Sequence, residues 1–367
     1  MIKKLLIGLI VAVCVFAIGY NAWKSEHQNT NGKRRVYAIL PLTGVIAKEG
    51  QDIKATMDIW MKLHPETKID LVYVDSESQP MKAVTAFQQA TLGDTNPLVI
   101  SSVTPVTAAL VPVVAKSKGF TVGMLVADGT KLEQNGQFQI IAPGITSEKN
   151  VLFPYILDNF DDFSIMYSNE ELGRSSMTEF KKAALAAHKN ILDIEAIDLR
   201  NLDTRIEVLK VMEKNPKAII IFSQPTVSYM NIFKNLKNYG YKGRIITGGQ
   251  FSSKNVFDNL NEYTSGVVFS ASPLEYDTHN QDKEKYMEMI SQHKGNLYPM
   301  YIFTYDILTV MDYILKNNLP FTQETFQQIG KLDGFSGDIT FQGNGLCIYP
   351  YQLSQYNADG KIIPLKK

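Results

Sequence analysis

The sequence predicts an α/β protein built from two doubly wound parallel sheets. Short β-branched runs alternate with longer runs of helical spacing between Val36 and Ser270, as in parallel strands joined by helices on both faces. The candidate strands fall into two groups on either side of Pro143, and two sheets are more usual than one of that size. Alternation then breaks in the polar stretch Ala271–Asp282 and again at Gly334–Gly345, so the chain changes character three times.

The first group of candidate strands is Val36–Pro41, Lys68–Val74, Leu98–Ser101 and Phe120–Leu125. The second is Phe163–Tyr167, Ile191–Ile197, Ala218–Phe222, Arg244–Thr247 and Gly266–Ser270. Helical spacing covers Gln51–Leu63, Met81–Leu92, Val106–Ser117, Lys149–Asn159, Gly173–His188, Arg205–Lys214, Val227–Asn238 and Ser253–Leu260. Right-handed crossovers make such units doubly wound. Three more helical runs follow, Gln281–His293, Met300–Asn317 and Thr322–Ile329. Gly334–Gly345 has hairpin character, and Cys347–Tyr356 and Lys361–Pro364 form late strands around the turn Asn357–Gly360.

The 367 residues suffice for two domains, each with its own core. Lys plus Arg and Asp plus Glu both number 37, and no clustered basic face points to a nucleic-acid partner. Cys14 lies in an apolar run, which leaves Cys347 without a partner in the folded part and argues against an intrachain disulfide or a cysteine metal site.

That apolar run, Leu5–Ile18, follows a basic start and precedes the polar spacer Glu26–Arg35. It is shorter than the roughly 20 residues that cross a bilayer comfortably. Residues 1–32 are therefore a secretion signal plus spacer, cleaved after Gly19 or Ala22, or an uncleaved membrane anchor flanked by Tyr20 and Trp23; a lipoprotein site at Cys14 is the third option. Each places the rest of the chain outside the cytoplasm, in the periplasm or extracellular space, and an uncleaved segment would hold it at the inner membrane.

Open parallel sheets bind ligands beyond the carboxyl ends of their strands. There the sequence carries Leu42-Thr43-Gly44, then Ser101-Ser102-Val103-Thr104-Pro105, then Ala127-Asp128-Gly129-Thr130. Thr104 suits a helix N-cap and Pro105 a first helical residue. Such an end with hydroxyls nearby favours an anion. Phosphate-loop, dinucleotide, nucleophile-elbow and zinc-protease motifs are all missing. No cofactor is expected, and the chain is expected not to be an enzyme. Asp277, His279 and Asp282 stand in a polar connecting stretch and are expected to be solvated, not metal ligands. The tyrosines 298, 301 and 305 share a helix face and are expected to pack in a core.

Five segments, in order, carry a resemblance: Ile39–Asp52 (ILPLTGVIAKEGQD), Tyr73–Gln89, Ser102–Phe120 (with Thr104 eight residues before Pro112), Ile245–Ser253 and Gly334–Gly345. Together they resemble the type I periplasmic binding proteins, in particular the branched-chain amino acid (Leu/Ile/Val) binding family of ABC transporters. The resemblance implies two lobes joined by three hinge strands, with residues 35–143 and 273–335 in lobe 1 and 144–272 and 336–367 in lobe 2. With the strand-end loops, it gives an expected ligand set of Thr43, Ser102, Thr104, Asp128, Thr130, Gln224, Gln250 and Phe251. Gln250 stands where amino acid binders often carry an acid that pairs with the ligand ammonium, and Leu172 stands near their stacking aromatic. Asp128 is one replacement for the charge, and Tyr298 or Phe251 for the ring. The expected function is capture of a small polar molecule (amino acid, amide or small carboxylate) for an inner-membrane ABC permease. The alternative is an anchored envelope sensor or scaffold that uses the same clamp.

Overall fold

A computed structural model describes residues 32–44, 46–126, 132, 137–142, 145–223, 226–252, 254–273, 279–294, 297 and 299–365. The N-terminal apolar segment, Asp128, Thr130, Gln224, Asp277 and Tyr298 lie outside the described residues. Among the described residues, no helix is long and apolar enough to cross a membrane.

The first sheet contains β1 (Arg34–Leu40), β2 (Ile69–Asp75), β3 (Leu98–Ser102), β4 (Phe120–Met124) and β5 (Phe138–Ile140). Its order is β2-β1-β3-β4-β5 and every pair is parallel. The connecting helices are α1 (Ala47–Leu63), α2 (Pro80–Ala90) and α3 (Thr104–Lys116). Strand period decides which faces they cover. Val36, Ala38 and Leu40 point into one cluster, whereas Tyr37 and Ile39 point into another with Phe87 and Leu110. Both faces are covered, so β1 is apolar along its length, as parallel strands usually are.

The second sheet repeats the plan. After α4 (Ile145–Asn159) come β6 (Asp162–Ser168), α5 (Glu171–Ala186), β7 (Asn190–Ile197), α6 (Arg205–Glu213), β8 (Ala218–Phe222), α7 (Val227–Asn238), β9 (Arg244–Thr247), α8 (Lys254–Leu260) and β10 (Val267–Ala271). On β8, Ile219 and Ile221 face one cluster and Ala218, Ile220 and Phe222 the other. Each fully buried isoleucine contributes about 1.5–3 kcal/mol relative to exposure in water.

The chain then returns to the first sheet with α9 (Gln281–Ser291), α10 (Met300–Lys316) and α11 (Gln323–Ile329). A small antiparallel sheet follows, made of β11 (Lys331–Gly334), β12 (Gly337–Phe341) and β13 (Cys347–Ile348). Finally β14 (Gln352–Tyr356) and β15 (Ile362–Pro364) add antiparallel strands beside β10. The result is two doubly wound lobes joined by three crossings, after β5, β10 and β13.

Three expectations need correction. The resemblance puts all residues from 336 in the second lobe, but Ile339, Phe341, Cys347 and Tyr349 pack into the first cluster. Cys347–Tyr356 was read as one strand, but it breaks at Tyr349-Pro350-Tyr351, which forms the third crossing; Pro350 has no N–H to give a ladder. The strand β5 was not anticipated. It has three residues, too few for a period to register.

The corner before that crossing is fixed by Asp306 on α10. Its fully buried carboxyl accepts from the Phe335 N–H at 2.6 Å and from the Tyr349 hydroxyl. Lys283 on α9, only 2% exposed, donates to Asp333 at 2.8 Å and to the Gly334 carbonyl at 2.7 Å. Burial pushes Asp306 up to about 7, against the opposing pull of those hydrogen bonds. An unfolded Asp titrates near about 4, so between the two values the folded state holds a proton that the unfolded chain has released. This contribution to stability is in place at the acid end of that window and is lost as pH rises through about 7. The urea midpoint should therefore be higher at about pH 5.5 than at about pH 8, and Asp306→Asn should narrow the difference. Equal midpoints for the parent chain at the two pH values would contradict this.

Candidate ligand cleft

In a sheet ordered 2-1-3-4-5, the chain leaves in opposite directions from the central strand and its later neighbour, which opens a crevice at their carboxyl ends. In the first sheet these strands are β1 and β3; in the second they are β6 and β8.

Asp75, at the end of β2, organises the loop after β1. It accepts from the N–H groups of Leu42 (3.0 Å), Thr43 (3.2 Å) and Glu77 (2.8 Å) and from the Thr43 hydroxyl (2.6 Å). Burial acts to raise its pKa, but those hydrogen bonds outweigh it and hold the carboxyl below its ordinary value. Gly44 has φ +93, and a Cβ there would fall 2.6 Å from the Glu77 carbonyl. This close approach fixes how the two loops stack.

The turn after β3 is more unusual. Ser102 is fully buried, and its hydroxyl has no hydrogen-bond partner among the described residues. Val103 adopts φ 62 and ψ 141, a conformation that costs a β-branched residue about 1–3 kcal/mol. Its N–H is held by the Met124 carbonyl at 3.2 Å. The sequence placed the N-cap at Thr104. The structure places Val103 there and Thr104 inside α3, and Val103 has no side-chain oxygen with which to cap that end.

On the second lobe, Glu170 caps α5 by accepting from the N–H groups of Leu172 (2.8 Å) and Gly173 (2.9 Å). Leu172 is turned inward and buried. Thr226 caps α7 through the Tyr229 N–H at 3.3 Å. The turn after β9, Gly248-Gly249-Gln250, is anchored from outside its own segment, since the Gly249 N–H donates to Glu148 on α4 at 2.9 Å. Tyr351 of the third crossing is also there, its hydroxyl 3.1 Å from where a Gly249 Cβ would stand. Ser147, next to Glu148, accepts from the Tyr349 N–H at 2.9 Å and so joins the start of α4 to that crossing.

The structure thus places Thr43, Ser102 and Thr104 at the crevice of the first sheet, and half-buried Gln250 at the carboxyl end of β9. Phe251 is a correction. It is fully buried among Tyr229, Phe233, Phe269 and Tyr356, with ring centroids 4.7–6.4 Å away, so it packs the core and presents no face to a ligand. Asp282 is another: its carboxylate takes His64 Nε2 at 2.8 Å and the Tyr305 hydroxyl at 2.6 Å, and is not simply solvated. Among the described residues no group of His, Cys, Asp and Glu is arranged to hold a metal. Cys347 is a buried free thiol, pushed up to about 12 by burial.

Helical spacing in the sequence begins only at Lys149 and so leaves Glu148 out, whereas the helix begins at Ile145. Glu148 keeps some exposed surface, while its carboxyl sits deep enough for burial to push it up to about 7, against the Gly249 hydrogen bond.

Residues 35–361 match the model of a family described as periplasmic binding protein. The chain belongs to that family. Its fold is shared by an ABC transporter solute binding protein from R. palustris in complex with 4-hydroxybenzoate (TM-score 0.75, 15% identity, covering 91% of this chain and 96% of that one). The branched-chain amino acid transporter substrate binding protein LivJ from Streptococcus pneumoniae, in complex with isoleucine, is similar at TM-score 0.74 and 13% identity, covering 90% and 97%. An extracellular ligand binding receptor from Desulfohalobium retbaense aligns at TM-score 0.68 and 17% identity over 91% of this chain, which spans 60% of that receptor's length. No curated protein matches this chain by sequence.

The order imposed by Asp75 leads to a prediction. Asp75→Ala should cost about 1–3 kcal/mol, read from the urea midpoint, and speed hydrogen exchange at the Leu42 and Thr43 amides. Because the folded carboxyl is the stronger acid, this stabilisation is present above the unfolded value near about 4 and fades as pH falls below it.

Proposed function

We propose that this chain is an extracytoplasmic receptor that captures a small polar solute between its lobes and presents it to an ABC permease in the inner membrane. It binds and does no chemistry. The N-terminal segment exports the chain or tethers it to that membrane.

The observation that carries this reading is the turn after β3. A fully buried hydroxyl with no partner among the described residues, on the strained turn that starts α3, costs stability. Strain and unpaired groups of this kind concentrate where a ligand will complete them. Membership of the periplasmic binding protein family supports the same reading. Thr43, Ser102 and Thr104 would hold the solute from lobe 1 and Gln250 from lobe 2, with Asp128, Thr130 and Gln224 completing the set. The proposed lobes are 35–142 with 279–348, and 145–273 with 352–365. Contacts to both would favour the closed state, since a ligand shifts an equilibrium only by binding one state better.

A thermal-shift screen with amino acids, amides, aromatic acids and small carboxylates tests this. At about a hundredfold excess over Kd a ligand adds about 2.7 kcal/mol and raises the melting temperature visibly. Ser102→Ala should leave the stability of the free protein unchanged or slightly higher, because no intramolecular bond is lost, yet weaken the ligand found about tenfold. A variant that is less stable when free but binds equally well would show the hydroxyl to be structural.

A further inference from the structure

We propose that Glu148 is the specificity-determining acid of this cleft and that, with Gln250, it receives the protonated nitrogen of the solute, so that ligands bearing an ammonium are preferred to neutral or anionic ones. This rests on the solute-capture reading above and names the chemical class of the ligand.

The geometry is that of an acceptor pair. Glu148 Oε2 and Gln250 Oε1 each lie 2.7 Å from the point that a Cβ on Gly248 would occupy. The carboxylate and the side-chain amide therefore converge over the Gly248 backbone. Glu148 Oε1 is held by the Gly249 N–H at 2.9 Å, which fixes the carboxylate and leaves Oε2 on the Gln250 side. A carboxylate oxygen beside an amide that can turn either its oxygen or its nitrogen toward it has room for further donors. An ammonium offers three.

No described side chain supplies that charge. Lys149, on the same helix, is 4.0 Å from Glu179. The titratable groups that face Glu148 from other elements are phenols: Tyr229 of α7, whose own acidity is suppressed by burial and then by Glu148 itself, and Tyr351 of the third crossing. A buried carboxylate without a cation is costly, and burial has moved this one up to about 7. A cationic ligand would offset that cost and restore the ionised form. The acid thus enters from the first turn of α4, beside the Ser147–Tyr349 hydrogen bond, while the β9 turn supplies an amide. A solute held there touches the segment that links the lobes.

Glu148→Gln tests the charge alone, since the amide oxygen can still accept from Gly249. Calorimetric titrations would use L-leucine, 3-methylbutylamine, 4-methylpentanoate and 4-hydroxybenzoate on both proteins. We expect leucine or the amine to bind the parent chain and to lose at least about tenfold in affinity with Glu148→Gln. A carboxyl of pKa about 7 is mostly charged at pH 8 and mostly neutral at pH 6, so the parent's affinity should fall about tenfold between them while the variant stays flat. Equal affinity of leucine or the amine for the two proteins, or a flat pH profile in the parent, overturns the inference. Binding by the two carboxylates alone also overturns it and leaves solute capture standing. If none of the four binds, the inference falls, and the wider thermal-shift screen decides separately whether the cleft takes a solute. Should the variant fail to fold, the parent's pH profile still decides.

Discussion

The backbone N–H of Tyr349 donates to Ser147 at the start of α4, in one lobe, and its hydroxyl donates to buried Asp306 on α10, in the other. One residue is thus bonded to both lobes. It sits where the chain makes its third crossing, and Pro350 beside it prevents β13 and β14 from merging into one strand. The first crossing ends at the same helix start. The turn of the hinge and the floor of the cleft are therefore one piece of structure: Ser147 belongs to the hinge, and Glu148, the next residue, belongs to the cleft.

The positions of the remaining cleft residues follow from winding. A parallel sheet with the order 2-1-3-4-5 opens only at the carboxyl ends of its two central strands, and both sheets have that order. This is why the loops that carry Thr43 and Ser102 follow neighbouring strands although they are distant in sequence. Asp75 and Gly44 lock the first loop from behind, and Met124 holds the strained Val103 from the neighbouring strand. Loops fixed in this way before a ligand arrives would lower the ordering cost of binding.

Membership of the periplasmic binding protein family explains the plan but not the chemistry in the cleft. At the lobe 2 position where a resemblance to amino acid binders predicts an acid, this chain has Gln250. The carboxyl beside it comes from Glu148, more than a hundred residues earlier in the sequence, through the Gly249 N–H. A turn can keep its backbone path while exchanging which element supplies its charge, because the electrostatic requirement concerns a location and not a position in the chain.

Strand and helix positions were legible because both faces of each sheet are covered. This makes β1, β3, β4 and β8 short apolar runs bounded by polar turns, and gives the helices a one-sided apolar stripe. The family landmarks at Ile39–Asp52 and Ser102–Phe120 lie in loops, where backbone geometry dictates residue type locally. By its sequence alone the protein is determined to be two doubly wound sheets with connecting loops at their carboxyl ends. Tertiary structure decided the rest. Phe251 could be placed in the core only once four other aromatic rings surrounded it, and Ile339, Phe341 and Cys347 could be placed in the first cluster only once the chain had returned to it. The unpartnered state of Ser102 and the convergence of Glu148 on Gln250 are likewise contacts between distant segments. Period and propensity act over a few residues, whereas burial and the choice of partner are set by whatever the chain brings back from far away.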